Sequence, residues 1–264
     1  MKKYLRVAKN TWDEILTYRL NFVMWRVRTV VWLISAYFLW LAILPEGFSL
    51  FGYDQRIIIT YILVGAVLSS IVASARSYAI GDEINRGDLS NFLMRPINYF
   101  LFWAARDLGD KAINITFSLI ELAILLVLLR PPLLIQQDLL YLFLFIFSIC
   151  IAVILEFFFN FLLGFIGFWS PEVWGPRFLF SIVIGFFSGG LFPLDMLPSP
   201  IYTFFQVLPF TYVLFFPLKI YLGQLSIPDV LFGFCVASLW AAILYVLVKF
   251  FWGKGLRLYT AQGR

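Results

Sequence analysis

The chain has 264 residues, of which 62% are hydrophobic and 13% charged, and its formal net charge is +5. Soluble domains carry about 25% charged residues, so this chain has too few charges for a water-facing surface and lipid must cover much of it. It contains no histidine, which excludes histidine-based zinc sites, Ser-His-Asp catalysis and histidine proton relays. Its two cysteines lie within apolar runs, which argues against a disulfide framework.

Residues 1–21 have the pattern of an amphipathic helix. Lys and Arg lie mostly off one helical face, and that face carries Leu5, Ala8, Trp12, Ile15 and Leu16. The pattern predicts a helix that lies in the membrane interface. A helix packed on a soluble partner is the alternative interpretation.

Six apolar stretches follow, and each is long enough, or nearly so, for a membrane-spanning helix of about 20 residues. They cover residues 23–44, 57–77, 113–129, 139–169, 178–192 and 230–252. Another apolar stretch, 193–223, is interrupted by five prolines, which predicts two short re-entrant or interfacial helices on the extracellular side. The expected fold is therefore an all-α integral membrane protein with six transmembrane helices and a single domain over residues 1–264.

Basic residues are distributed unevenly between the two sides of this arrangement. Seventeen Lys and Arg lie on the side of the two termini, and three (Arg56, Arg130 and Lys219) lie on the other side. The positive-inside rule therefore predicts that both termini lie in the cytoplasm. The same clustering explains the positive net charge without nucleic acid, since no long basic, water-facing segment is present.

Residues 78–110 form the longest predicted cytoplasmic connection. They mix both charge signs with apolar residues, and Gly87 and Pro96 interrupt them. The pattern predicts a short amphipathic helix followed by a helix that returns to the membrane. Because adjacent helices can be joined by far shorter connections, the pattern favours a segment that docks on a cytoplasmic partner over a plain solvated connector.

A signature in this connection resembles one found in the permease subunits of type-two ABC exporters. It has the form E-x-x-x-G-x-L-x-x-x-L-x-R-P and is carried by Glu83, Gly87, Leu89, Leu93, Arg95 and Pro96. The stretch 193–223 resembles the proline-rich external region after the fifth span of these permeases. The resemblance covers nearly the whole chain and implies a small bacterial six-span permease of the ABC-2 type.

The resemblance also implies partners and a division of labour. Two permease subunits, identical or paralogous, would form the pathway within the lipid of the bacterial cytoplasmic membrane. Two separate ATPase subunits would bind ATP and Mg²⁺, so this chain would be no enzyme and would hold no cofactor or metal. The sequence agrees with this division, since it contains no G-x-x-x-x-G-K-[ST] phosphate loop.

Residues 78–110 would contain the coupling helix, the element that receives motion from the ATPase. Leu89, Phe92 and Leu93 are expected to form one apolar docking face, with charged residues at its rim. The residues expected to couple the chain to the ATPase are Glu83, Arg86, Gly87, Asp88, Leu89, Leu93 and Pro96.

Two carboxylates fall within predicted spans: Glu121 in the third and Glu156 in the fourth, with Asn160 one turn after Glu156. A charged carboxylate at the centre of a membrane helix costs about 2.5–3.5 kcal/mol, so both should face the helix bundle or a wet cavity. They would be polar contacts along a pathway or partners in interhelical hydrogen bonds. Arg26 and Arg28 are expected to be anchors that extend to the interface.

Two other classes of protein fit parts of the pattern. Glu121 and Glu156 would permit an ion-coupled secondary transporter. A membrane enzyme acting on lipids would need clustered polar residues near one interface. The dense acidic cluster that could bind a divalent ion consists of Asp82, Glu83, Asp88, Asp107 and Asp110. It has no recognisable spacing of a lipid enzyme, so no metal site is assigned to it.

Overall fold

The structure is a computed structural model that describes residues 2–260. Within these residues, five helices are long and apolar enough to cross a membrane: Leu20–Ile43, Gln55–Val72, Tyr99–Leu129, Leu139–Phe168 and Ile227–Leu258. Trp174–Phe187 is a shorter apolar helix. The chain is therefore a multi-pass helical membrane protein. Arg264, one of the seventeen basic residues on the side of the two termini, lies outside the described residues.

The elements in chain order are α1 (Lys2–Thr17), α2 (Arg19–Ile43), β1 (Ser49–Leu50), β2 (Tyr53–Asp54), α3 (Gln55–Val72), α4 (Ile80–Asn85), α5 (Leu89–Leu93), α6 (Tyr99–Leu129), α7 (Leu139–Phe165), α8 (Trp174–Phe187), α9 (Ser199–Val207), α10 (Phe215–Tyr221) and α11 (Ile227–Leu258). β1 and β2 form a small antiparallel hairpin. Single turns of 3₁₀ helix precede α4, α9 and α10 and follow α7.

Both ends of the described chain lie at the same end of the helix bundle. The Lys3 ammonium donates to the Pro96 carbonyl (3.0 Å). The Ser90 amide donates to the hydroxyl of Tyr259, which follows α11 (3.1 Å). The start of α1, the connection between α3 and α6 and the end of α11 therefore lie together. We call this the terminal end of the bundle.

A buried polar network stabilises the opposite end. The Lys219 ammonium donates to Asp195 (2.6 Å), to Gln224 (2.6 Å) and to the Tyr53 hydroxyl (3.2 Å). Burial, together with the nearby Asp195 carboxylate, raises the pKa of Tyr53, so its hydroxyl stays protonated and donates to Asp195 (2.9 Å). The network joins the β-hairpin to the proline-rich segment 193–223, where the structure forms the short helices α9 and α10.

The N-terminal helix α1 is formed as the amphipathic pattern predicts, and it packs on α6. Thr11 and Ile15 are buried, and Glu14 forms an ion pair with Arg106 of α6 (2.6 Å). Leu5, on the predicted apolar face, is exposed. The helix is therefore attached to the chain's own α6, while part of its apolar face remains available to the membrane interface.

α6 begins earlier than the hydropathy predicts. The sequence predicts a helix that returns to the membrane within 78–110 and a third span from residue 113. The structure joins the two in one helix that starts at Tyr99, where the Asn98 side-chain oxygen accepts from the Leu101 amide (3.0 Å). The predicted connection 78–110 therefore ends at Asn98. The physical reason is that the charged residues 106–111, which lower the local hydropathy, find partners on neighbouring elements instead of facing water.

Replacement of Gly109 by alanine is expected to detach α1 from α6. A Cβ at this position would lie 2.4 Å from the Ala8 carbonyl oxygen and 3.1 Å from the Thr11 Cβ. Overpacking of this kind costs about 1–3 kcal/mol of stability. A protease should therefore cleave α1 faster in the purified Gly109→Ala variant than in the wild type. Gly253→Ala is the matched control, because an added Cβ there meets no described atom within 4 Å. Equal cleavage of α1 in the two variants would contradict the close crossing.

Candidate functional site

Residues 77–98, which we call the connecting segment, join α3 to α6 and contain the short helices α4 and α5. After α4, Gly87 adopts a left-handed conformation with a φ of 80°. The Asp88 amide donates back to the Glu83 carbonyl (3.0 Å) and closes the end of α4. A residue with a side chain would be strained at position 87, so Gly87 sets the angle between the two short helices.

A buried cluster attaches the connecting segment to the bundle. Ile80, Ile84 and Leu89 are buried in the same cluster as aromatic residues of α6 and α7. The ring of Tyr99, the first residue of α6, stacks on Trp252 of α11 with a centroid distance of 4.9 Å. Because packed interiors have low compressibility, the connecting segment should move together with these three helices.

This packing corrects the predicted docking face. Leu89 is 0% exposed and lies within the cluster, so it does not form an exposed face with Phe92 and Leu93. Phe92 is half-buried and packs on Phe102, with ring centroids 4.7 Å apart. Leu93 and Met94 are 51% and 79% exposed. The outward-facing apolar surface is therefore the end of α5 and the turn after it.

Glu83 is half-buried and accepts a hydrogen bond from the Tyr99 hydroxyl (2.8 Å). Burial raises the pKa of the Glu83 carboxyl from 4.5 to about 7; the Tyr99 hydrogen bond and Arg106 oppose this rise, and Asp88 adds to it. Arg86 and Asp88 are exposed, which is the position expected for a polar rim. Glu83 does not belong to this rim, because its hydrogen bond with Tyr99 connects α4 to the first residue of α6.

Lys111 of α6 binds the end of α3. Its ammonium donates to the carbonyls of Ile71 (2.9 Å), Val72 (2.8 Å) and Ser74 (2.6 Å). The last carbonyls of a helix have no partner within the helix, and a positive charge there also interacts favourably with the helix dipole. Lys111 therefore fixes the point at which α3 ends.

Two aspartates of α6 bind the residues that follow. The Asp107 carboxylate accepts from the amides of Arg76 (2.6 Å) and Ser77 (2.8 Å) and from the Ser77 hydroxyl (2.7 Å). Asp110 forms an ion pair with Arg76 (3.1 Å). We call Asp107, Asp110 and Lys111 the α6 clamp. It holds the end of α3 and the start of the connecting segment against one helix.

Sequence reasoning did not assign the α6 clamp. Positions 107, 110 and 111 share one face only if they belong to one helix. The sequence predicts a helix that returns to the membrane within 78–110, but it does not fix where that helix begins or that it continues through position 111. The sequence places Asp107 and Asp110 in an acidic cluster that could bind a divalent ion. In residues 2–260, no group of three or more His, Cys, Asp or Glu is placed to hold a metal ion.

Glu121, one of the two predicted pathway carboxylates, is paired with Arg26 of α2. Arg26 Nε donates to Glu121 (2.7 Å), Nη2 also donates to Glu121, and Nη2 donates to the Ser118 hydroxyl (3.1 Å). The expectation that Arg26 is an interfacial anchor is therefore corrected, because its guanidinium binds α6. The carboxylate is held between two helices by this ion pair.

Glu156, the second predicted pathway carboxylate, is buried on α7. The Asn160 amide donates to the Glu156 backbone carbonyl (3.0 Å) and to Oε1 of its side chain (3.2 Å). Oε2 is buried and has no hydrogen-bond partner among the described residues. Glu156 and Asn160 thus share a face, as expected, and their role along a pathway stays a prediction.

Long apolar helices, with a connecting segment packed firmly at one end, define a polytopic helical membrane domain. A family model described as "ABC-2 family transporter protein" matches residues 30–263. The chain therefore belongs to the ABC-2 transporter family, and it is an ABC transporter permease, as the signature indicated. A comparison with curated proteins found no match. Family membership favours this function over the secondary transporter and the lipid enzyme.

The raised pKa of Glu83 predicts a pH-dependent stability. Between pH 4.5 and about 7 the folded protein binds more protons at Glu83 than the unfolded chain does, so the stability contributed at this site falls as the pH rises through that window. Glu83→Gln should remove this dependence. The unfolding temperature of the variant minus that of the wild type should therefore increase between pH 5 and pH 8. Asp82→Asn, an exposed site on the same helix, is the control. An unchanged pH profile in Glu83→Gln would contradict the assignment.

The ion pair between Arg26 and Glu121 is expected to show strong coupling. Arg26→Met leaves the Glu121 carboxylate without its partner, which should cost about 3–5 kcal/mol, and Glu121→Gln should recover much of that loss in the double variant. Equilibrium unfolding in mixed micelles would measure the free energy of unfolding of the single and double variants. Additive effects of the two substitutions would show that the pair contributes little. Normal transport by the double variant would show that the role of Glu121 is structural. Loss of transport by the double variant would show that Glu121 contributes to the pathway.

Proposed function

We propose that the chain is the permease subunit of an ABC exporter, that it forms half of the translocation pathway, and that a separate ATPase subunit drives it through the connecting segment. The observation that supports this most is the construction of that segment. It presents Leu93 and Met94 outward and is packed internally by Ile84 and Leu89. A lever needs this combination of an exposed contact and a rigid attachment.

The path by which motion would enter the membrane runs through the α6 clamp. A displacement of the connecting segment pulls on the amides of Arg76 and Ser77, which Asp107 holds. Lys111 lies one turn further along α6 and holds the end of α3. Because hydrogen bonds connect all three elements, movement of the segment would shift α3 and α6 together.

The terminal end is proposed to face the cytoplasm of a bacterium. The start of α1 and the end of α11 share that end, which supports an even number of crossings. The five long helices would supply five crossings, and α8 with the segment after it would supply the sixth. The excess of basic residues on the same side supports this orientation.

The remaining components are proposed from the family and the sequence. A second permease, either a copy of this chain or a paralogue, would complete the pathway. ATP and Mg²⁺ would bind to the ATPase, because the sequence contains no phosphate loop of the G-x-x-x-x-G-K-[ST] type. Surrounding lipid would contact the exposed apolar faces of the long helices.

The proposal predicts that the tagged chain, purified from its native membrane, carries an ATPase subunit, and that the chain alone hydrolyses no ATP. Met94→Asp should reduce recovery of the ATPase by roughly tenfold or more, because it places a charge in an apolar contact. The position is 79% exposed, so the variant should still fold and insert into the membrane.

Met94→Leu is the matched control and should retain the ATPase. Leu89→Asp should instead destabilise the chain itself, because that side chain is fully buried. Normal ATPase recovery and normal transport by Met94→Asp would overturn the docking assignment. Specific ATP hydrolysis by the isolated chain would overturn the proposed division between permease and ATPase.

A further inference from the structure

A cavity of about 280 Å³ lies at the terminal end, between the connecting segment and α11. Lys249 and Trp252 of α11 form one wall, and the other wall comes from the connecting segment and the start of α6: Phe92, Leu93, Arg95, Ile97, Asn98, Tyr99 and Phe100. Four of the nine lining residues are aromatic: Phe92, Tyr99, Phe100 and Trp252. Met94 is not part of this lining, whereas its exposed neighbour Leu93 is.

The charged residues in this lining are both basic. Arg95 lies over the ring of Phe92, with its guanidinium carbon 6.0 Å from the centroid. The Lys249 ammonium lies 4.9 Å from the ring centroid of Phe100 and 5.7 Å from that of Tyr245. Neither residue takes part in an ion pair within the described part of the chain. Aromatic faces orient these cations and leave their charge available to an anion.

The depth of Lys249 places the cavity at the membrane surface. Lys249 lies 22 residues after Ile227, the start of α11, which is about 33 Å along a helix that rises 1.5 Å per residue. The hydrocarbon core of a bilayer is about 30 Å thick. Val246, one turn before Lys249, is an exposed apolar side chain, as is Leu101 at the start of α6. Apolar surface for acyl chains therefore adjoins two cations at the level of the lipid phosphates.

We propose that this cavity binds the phosphate headgroup of an anionic phospholipid, with its acyl chains lying along the exposed apolar surface of α6 and α11. Basic pockets between transmembrane helices at the cytoplasmic side are suited to such headgroups. A soluble phosphate would gain nothing from the adjoining apolar surface. This inference goes beyond the proposed function and does not depend on it, because the site is complete within one chain.

A headgroup in the cavity would connect two elements that meet there. Arg95 belongs to the connecting segment, and Lys249 belongs to α11. Binding of one phosphate by both side chains adds a contact between the segment and the last long helix. The anionic lipid content of the membrane would thereby change how firmly the segment is held.

The test measures lipid binding to the purified, delipidated chain by native mass spectrometry, with phosphatidylglycerol compared against phosphatidylcholine. The wild type should bind phosphatidylglycerol preferentially. The double variant Arg95→Gln/Lys249→Gln should lose that preference, with affinity for phosphatidylglycerol falling by about tenfold or more. Lys254→Gln/Arg257→Gln is the matched control, since it removes the same charge from exposed residues of α11 outside the lining.

Four results would overturn the proposal. Full retention of phosphatidylglycerol by Arg95→Gln/Lys249→Gln would show that the cavity is not the site. An equal loss in the control would reduce the effect to general surface charge. Displacement of the lipid by free glycerol phosphate at equal concentration would assign the site to a soluble anion. Loss of the ATPase subunit from the lining variant, with lipid binding unchanged, would assign this face to the partner. Size-exclusion chromatography of both double variants would confirm that each is folded.

Discussion

The contact between the Lys111 ammonium and the end of α3 determines how the terminal end is arranged. The last carbonyls of a helix have no partner within the helix, and the Lys111 ammonium donates to the carbonyls of Ile71, Val72 and Ser74 there. Asp107, one turn earlier on the same helix, accepts the next amides, those of Arg76 and Ser77. The reversal of the chain between α3 and α4 follows from these bonds, and the position of the connecting segment follows from the reversal.

The opposite end uses the same solution with different residues. Lys219 is buried, and Asp195, Gln224 and Tyr53 accept from it. An unpaired buried ammonium would cost several kcal/mol, so the hydrogen bonds of Lys219 hold the proline-rich segment against the hairpin. A chain with 13% charged residues therefore uses several of them for helix ends and interhelical contacts. At these helix ends and contacts, apolar packing alone would not fix where a helix ends or which helices meet.

The long helices could be predicted from the sequence because lipid makes composition itself decisive. The interruption of the stretch 193–223 by prolines likewise predicted short helices. Two features could not be predicted in this way. The start of α6 at Tyr99 depends on tertiary partners for the charged residues near position 107, and a hydropathy average records those residues only as polar. Periodicity over a helix as short as the five-residue α5 does not specify which face points inward, and the sequence therefore wrongly predicts that Leu89 lies on the exposed face.

The corrected position of Leu89 changes what the signature describes. Glu83 binds the Tyr99 hydroxyl, Gly87 provides the turn, and Leu89 fills the cluster beneath it. These three signature positions attach the connecting segment to the bundle. Met94, the most exposed apolar side chain at its tip, lies between signature positions. These signature positions therefore determine how the connecting segment is attached to the helix bundle. The residues that would distinguish one ATPase partner from another need not belong to the signature.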